Sequence, residues 1–322
     1  MKAQTITILG LGRTGASIGL ALKASRLDVE IIGHDRDREA VRAARERGAI
    51  DDSSWRLGKA VSRADILIMA IPASEVAGTL QAMSSSVREH TLILDLSSLK
   101  GQGQQWAERH LTLGHYVGAR AILAAEALAD GTSGVAGARA DLFRDSVFCL
   151  TPAPDADPKA VETAVNLGTL LGAKPFFLDP SEYDNLMLAV ETLPGLMAAA
   201  LFQAVTGAAG WRDMLRFANL PFAQATMPLR DDADLALLAL QDQPAMLRWL
   251  DAVLEELQEV RRWVAEGDKE RLAAFIEQLN LEREKWLDER TQNEWEEVSK
   301  SDFKPLSLTE HFLGRRGDAS GL

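Results

Sequence analysis

Near the start of the chain Gly10, Gly12 and Gly15 stand in G-x-G-x-x-G spacing, within "ILGLGRTGASIG". The glycines close an apolar run, TITILG (5–10), and open an amphipathic one. In that setting the first glycine permits a tight turn and the second lets the backbone approach a pyrophosphate. The third lets the helix pack close to the strand. The N-terminus of such a helix favours an anion. Asp35 ends the next apolar run, 20 residues after Gly15, where a carboxylate takes the ribose hydroxyls of a dinucleotide. These residue types at this spacing imply a hydride carrier, NAD or NADP. Asp35 repels a 2′-phosphate. Arg36 beside it and Arg13 inside the loop could instead grip that phosphate with a planar fork, or lie against the adenine or in solvent. NAD is slightly favoured. Thr14 in the loop and Pro72, which ends ADILIMAIP (64–72), complete the expected cofactor-binding set.

A carrier needs an acid or base beside it, within hydrogen-bond reach of the reacting group. Lys100 begins a helix just past the run TLILDLSS (91–98), at the strand end where open α/β sheets take ligands. It could move a proton if burial lowered its pKa; otherwise it anchors an anion or pairs with Glu126. Of the five histidines, His34 falls beside the ribose site, and His90 and His110 precede strands. His115 starts a strand at the end away from the cofactor, and His311 lies in the tail. None is placed as a general base. Glu191, in the apolar stretch 186–210, is either a base or the partner of Arg120 or Arg216. Buried carboxylates are seldom left unpaired, so the ion pair is favoured. Arg216 offers a fork for a substrate carboxylate, or is a surface arginine near Asp213, three residues away.

The elements that must position these groups alternate in the first half. Apolar runs at 5–10, 29–35, 64–72, 91–98, 116–119, 146–152 and 173–179 have the continuous character of strands covered on both faces. Helical patterns lie between several of them. Alternation with right-handed crossovers gives an α/β fold, a Rossmann-type doubly wound sheet. After Pro180 the strands stop and an all-helical C-terminal domain is expected: helices over 181–209, 211–219 and near 231–241, then two long amphipathic runs. Met246, Trp249, Leu250, Val253, Leu257, Val260 and Val264 share one face of the first run. Gly267 closes it, and Asp268 can cap the next. The expected divisions are 1–180 for dinucleotide binding, 181–300 for substrate and dimerisation, and 301–322 as a polar tail.

At 322 residues, with a formal net charge of −12, the chain suits two domains and is a poor partner for nucleic acid. Its one cysteine, Cys149, permits no internal disulfide and no cysteine metal site, so a reducing, cytoplasmic setting is expected. The N-terminus enters a strand without the features of a secretory signal. The stretch 186–210 approaches the length of a membrane span. It holds Glu191, Pro194 and Gln203 and lacks a basic flank, so it is read as a helix buried between subunits or domains. Long amphipathic helices of this kind lead to the expectation of a homodimer through the helical half.

Longer matches then appear. DLSSLK (95–100) resembles the D-x-x-S-x-K element of the prephenate and arogenate dehydrogenase family. ARADLF (138–143) with VFCLTP (147–152), DPSEYDN (179–185), LPGLMAAAL (193–201) and GWRDMLRFA (210–218) resemble its further segments in order. The resemblance runs from about residue 5 to residue 220. It implies NAD(P)-dependent oxidative decarboxylation of prephenate or arogenate in tyrosine biosynthesis, on a small carboxylated substrate. By resemblance Ser98 sits near the reacting hydroxyl and the nicotinamide, and Arg216 pairs with a substrate carboxylate. The family's G-x-H-P-M-A-G-x-E loop reads GARAILAAE here, so Arg120 stands where that family has a histidine that polarises the hydroxyl, while Glu126 is kept. Its V-S-H-L-P-H helix reads VETLPG, with Glu191, Thr192 and Gly195 at the serine and the two histidines. Its H-D-R turn reads YDN, with Tyr183 and Asn185. This selective loss leaves two expectations: a dehydrogenase with the family's reaction or an altered substrate, or a non-catalytic NAD(P)-binding regulatory or sensor homologue.

Overall fold

The computed structural model describes residues 4–128, 130–229 and 234–292; the expected tail at 301–322 and His311 lie outside the described residues. Among them, strands β1 (Gln4–Leu9), β2 (Val29–His34), β3 (Asp52–Ser53), β4 (Ile66–Met69), β5 (Leu92–Asp95), β6 (His115–Ala121), β7 (Val147–Thr151) and β8 (Lys174–Phe177) form one sheet. Its order is β3-β2-β1-β4-β5-β6-β7-β8. Helices α1 (Arg13–Ala24), α2 (Arg38–Glu46), α3 (Leu57–Val61), α4 (Ala73–Met83), α5 (Gly101–His110) and α6 (Pro158–Leu170) join the strands.

The continuous apolar runs have a direct cause. Ile6 and Ile8 of β1, with Ile66 and Ile68 of β4, enter one core shared with Ala16 and Ile18 of α1 and Leu167 of α6. Leu9, Leu67 and Met69 point the other way, into a second core with Val76, Leu80 and Met83 of α4. Each large aliphatic side chain buried in this way contributes about 2 kcal/mol relative to exposure. Both faces therefore select against polar alternation, and helices must cover both.

Two features depart from the expected sheet. β3, an edge strand of two residues paired to Ile32 and Gly33, was not anticipated; "DDSS" has no β-branched or apolar signature, and the bridge is imposed by its neighbour. β7 runs antiparallel to β6, whereas all other neighbouring pairs are parallel. Between Ala121 and Val147 the described chain holds only the short 3-10 turns Ala125–Ala127 and Val135–Gly137. With no crossover helix to carry it back, the chain re-enters the sheet reversed.

The chain divides into two compact units, one formed by residues up to Pro180 and again from Arg283, the other by Ser181–Glu282. The end of the last helix, from Arg283, returns to the first unit. Arg290 explains the return. It donates to Leu123 O (2.7 Å) and Ser146 Oγ (3.2 Å), and burial pushes its pKa below the ordinary arginine value.

The second unit contains α7 (Pro180–Met187), a π turn (Leu188–Thr192), α8 (Leu193–Thr206), α9 (Trp211–Met214), α10 (Leu220–Thr226), α11 (Leu235–Gln241), α12 (Gln243–Glu266) and most of α13 (Lys269–Gln292). By length and composition alone, the helix Pro180–Thr206 is apolar enough to cross a membrane, its most apolar 18-residue window having a mean hydropathy of 1.5. Its π turn lies where Pro194 offers no N–H to the carbonyl four residues before it. The helix expected over 211–219 ends at Met214, and a further helix starts at Leu220 with Asn219 as its cap. Gly267 is left-handed (φ 68°) and ends α12, and Asp268 accepts from Arg271 N at 2.9 Å. The apolar stripe on α12 is buried at Met246, yet Leu257 and Val264 stand exposed.

Candidate active site

The glycine loop joins β1 to α1. Gly10 has φ +85°, and a Cβ there would lie 2.2 Å from Ala70 O. At Gly15 a Cβ would lie 1.9 Å from Gly10 O. Both positions exclude any side chain. Gly12 differs, since a Cβ there meets nothing within 4 Å; its bareness keeps open the space over the helix N-terminus. Ala16 N makes the first helical bond, to Gly12 O at 3.0 Å. The amides of Arg13, Thr14 and Gly15 are therefore the leading donors of α1, placed for an anion.

Asp35 follows β2 and fixes the loop. Its Oδ2 accepts from Leu11 N at 2.6 Å and its Oδ1 from Asp37 N at 2.8 Å, which leaves lone pairs for ribose hydroxyls. A cavity of about 680 Å³ opens here, lined among others by Gly10, Gly12, Asp35, Arg36, Pro72 and Glu75. Pro72 caps α4, so a second helix N-terminus meets the cavity. An acid at the β2 end, a bare helix start and a cavity lined by both fit a dinucleotide.

Arg13 is used otherwise than as a phosphate grip inside the loop. Its guanidinium bonds Asp130 Oδ2 (2.6 Å), Thr132 O (3.2 Å) and Gly137 O (3.3 Å). Arg47 adds a bond to Ala138 O (2.6 Å), and Ser17 Oγ accepts from Arg139 N (3.0 Å). Together these tie the segment 130–139 onto α1 and α2. At Asp130 burial opposes the ionised form, but the Thr132 amide and hydroxyl and the Arg13 and Arg139 guanidiniums outweigh it and hold the carboxyl below its usual range. A depressed carboxylate pKa stabilises above the unfolded value, about 3.9, and that stabilisation is lost as pH falls through the lower native value. Amide exchange across 130–139 should accordingly be about threefold faster in Asp130→Asn than in the parent at neutral pH, and the two should converge in acid. Equal exchange at neutral pH would show that the clasp holds nothing.

The turn after β5 brings the remaining first-unit candidates together. Asp95, fully buried, accepts from Ser97 N (2.8 Å), Ser97 Oγ (3.0 Å) and Tyr116 OH (2.7 Å). Lys100 is 1% exposed, and its Nζ donates to Asp95 O (2.8 Å) and Ser97 O (2.5 Å). It braces the turn that presents Ser98. Gly118, level with Asp95 in the sheet, makes room for the lysine stem: a Cβ there would lie 3.1 Å from Lys100 Cδ. Arg120 is two residues further on the same face of β6. Its Nη1 donates to Leu96 O (3.3 Å) and lies 3.4 Å from Ser98 Oγ. A guanidinium stays protonated and only donates, so at this position it can steady an oxygen but cannot take a proton from it.

Glu191 and Arg216 belong to the second unit. Glu191 sits on the π turn, a distortion that recurs at functional sites. Arg216 is exposed, just beyond α9, and its N–H bonds Asp213 O at 3.3 Å in a backbone turn. His34 lines the nucleotide cavity with Nδ1 2.7 Å from Ser54 O. Among the described residues no group of three or more His, Cys, Asp or Glu could hold a metal. Sequence reasoning quoted Asp95 in DLSSLK without giving it a role, and missed Glu75, Asp130 and Tyr116. Of these three only Asp130 carried a local signal, the turn-forming ADGTSG (129–134).

The family model described as prephenate dehydrogenase, nucleotide-binding domain, matches residues 18–176. The chain is 29% identical over 289 residues to a prephenate dehydrogenase of Bacillus subtilis, covering 85% of this chain and 73% of that protein. It is 23% identical over 281 residues to a cyclohexadienyl dehydrogenase of Zymomonas mobilis, covering 86% and 94%. The crystal structure of prephenate dehydrogenase from A. aeolicus, in complex with hydroxyphenyl propionate and NAD+, superposes with a TM-score of 0.75. The two are 20% identical, over 88% of this chain and 99% of that one.

Proposed function

We propose that the chain belongs to the prephenate/arogenate dehydrogenase family and that it oxidises a small carboxylated hydroxy substrate, prephenate, arogenate or a relative of these, with NAD. It is an NAD(P)-dependent dehydrogenase. The observation that carries the reading is the pairing of an open helix start at Gly12 with Asp35 across one cavity.

NAD(P), when bound in this cavity, would supply the hydride acceptor for the carbon that bears the substrate hydroxyl. The chain's own groups do the rest. The amides of Arg13, Thr14 and Gly15 bind the pyrophosphate, and Asp35 the ribose. Ser98 hydrogen-bonds the hydroxyl, whose proton passes to solvent water as the carbonyl forms, and Arg120 steadies the same oxygen as a donor. Lys100 acts through Ser98 as a positioning residue. Arg216 pairs with a substrate carboxylate, and Glu191 helps shape the substrate site. The exposed stripe on α12 supports a homodimer through the helical unit, in a cytoplasmic setting within tyrosine biosynthesis.

Purified protein given NAD+ and prephenate or arogenate should reduce the nucleotide, and Arg216→Ala should lower kcat/KM for the acid about tenfold or more, as loss of a charge-assisted pair does. Because Arg120 stands where a titrating group would be, log(kcat/KM) should show no bend near a histidine pKa of about 6.5. A second reading, nucleotide binding without turnover, is favoured by the engagement of Arg120 with Leu96 O and Ser98. Tight NAD+ binding with no reduction by either acid would select it.

A further inference from the structure

The nucleotide cavity carries a charge arrangement that the glycine motif does not require. Arg36, in the turn between β2 and α2, places Nη2 2.5 Å from Oε2 of Glu75, in the first turn of α4. Both side chains line the cavity beside Asp35 and Asp37. Three carboxylates against one guanidinium give this group a formal charge of −2 (three negative, one positive). Asp35 is anchored by the Leu11 and Asp37 amides and cannot swing clear. The lining's other basic side chain, His34, is engaged with Ser54 O.

A 2′-phosphate brings roughly one and a half to two further negative charges. At this end of the cavity Arg36 is the group with the fork to receive them. We propose, resting on the NAD(P) reading above, that Glu75 sets the cofactor preference by holding Arg36. With its guanidinium committed to Glu75, Arg36 is withheld from a 2′-phosphate, and the surplus of carboxylates selects the cofactor with a free 2′-hydroxyl. Asp35 alone would disfavour the phosphate but leave Arg36 free to compensate; Glu75 removes that compensation. The Arg36 side chain is 74% exposed and that of Glu75 32%. A pair so exposed contributes little to stability, so changing it alters the local competition for the fork without unfolding the chain.

Calorimetric titration of the full chain with NADH and NADPH gives the ratio of the two Kd values. The parent should prefer NADH. Glu75→Gln should move the ratio toward NADPH by about fivefold, the upper worth of an exposed ion pair. Arg36→Ala added to Glu75→Gln should return the ratio to within about twofold of the parent, leaving only the smaller effect of the removed charge. An unchanged ratio in Glu75→Gln overturns the proposal, as does a gain that persists without Arg36, or a parent that prefers NADPH. A parent that binds neither nucleotide removes the cofactor reading itself and the proposal with it. That outcome is distinct from binding both without the shift.

Discussion

Gly15→Ala is expected to abolish dinucleotide binding and to lower the stability of the first unit by about 3 kcal/mol or more, the upper range for overpacking. The added methyl would lie 1.9 Å from Gly10 O, which is backbone and cannot rotate aside. Helix α1 must therefore back away from β1 by more than an ångström to reach ordinary contact. That motion carries the amides of Arg13 and Thr14 away from the anion they serve. It also disturbs Ala16 and Ile18, which are packed in the core beside the sheet. Gly12→Ala is the informative contrast. With nothing within 4 Å of the new Cβ, it should keep the parent's Tm and lose NADH affinity, because the methyl occupies the space left for the pyrophosphate. Thermal unfolding and NADH titration of both variants check the pair. A Gly15→Ala protein with parental Tm and affinity would show that the loop is looser than described.

Asp95→Ala should be the second large effect, about 4 kcal/mol in urea unfolding. The fully buried carboxylate serves three donors, and its loss leaves Ser97 N and the Tyr116 hydroxyl without that acceptor. Stranding buried donors costs about 1–3 kcal/mol each, and the small cavity adds to the total. Tyr116→Phe removes one of the three bonds and should cost only about 1 kcal/mol. The turn that presents Ser98 hangs on Asp95 and Lys100, so Asp95→Ala should also depress kcat in protein that is still folded. Equal midpoints for Asp95→Ala and the parent would mean that the network does not hold the turn.

What was legible in the sequence is what neighbouring residues decide together. The glycine spacing, the strand before it and the acid after β2 are local signals, and the structure places Gly10, Gly12 and Gly15 at the β1–α1 turn and Asp35 just after β2. The apolar runs declared strands buried on both faces because each face has its own helix layer. The unread features join distant residues. Arg36 meets Glu75 across 39 positions, Arg13 meets Asp130 across 117, and Tyr116 meets Asp95 across 21. No spacing rule reaches that far. Lys100 shows the limit from the other side: its place after a strand end was legible, but its burial, with Nζ on the Asp95 and Ser97 carbonyls, was not. The reversal of β7 was hidden for a similar reason, since its signal is the lack of a crossover helix among the described residues between Ala121 and Val147.

A crystal structure of the full chain with NAD+ tests the central claim most directly, because it asks where each part of the cofactor goes. The account predicts the pyrophosphate over Gly12 at the Arg13–Gly15 amides, the adenosine ribose on Asp35, and the nicotinamide toward Ser98 and Arg120. A nucleotide seated away from the Gly12–Asp35 cavity, or one whose nicotinamide points away from Ser98, would contradict it.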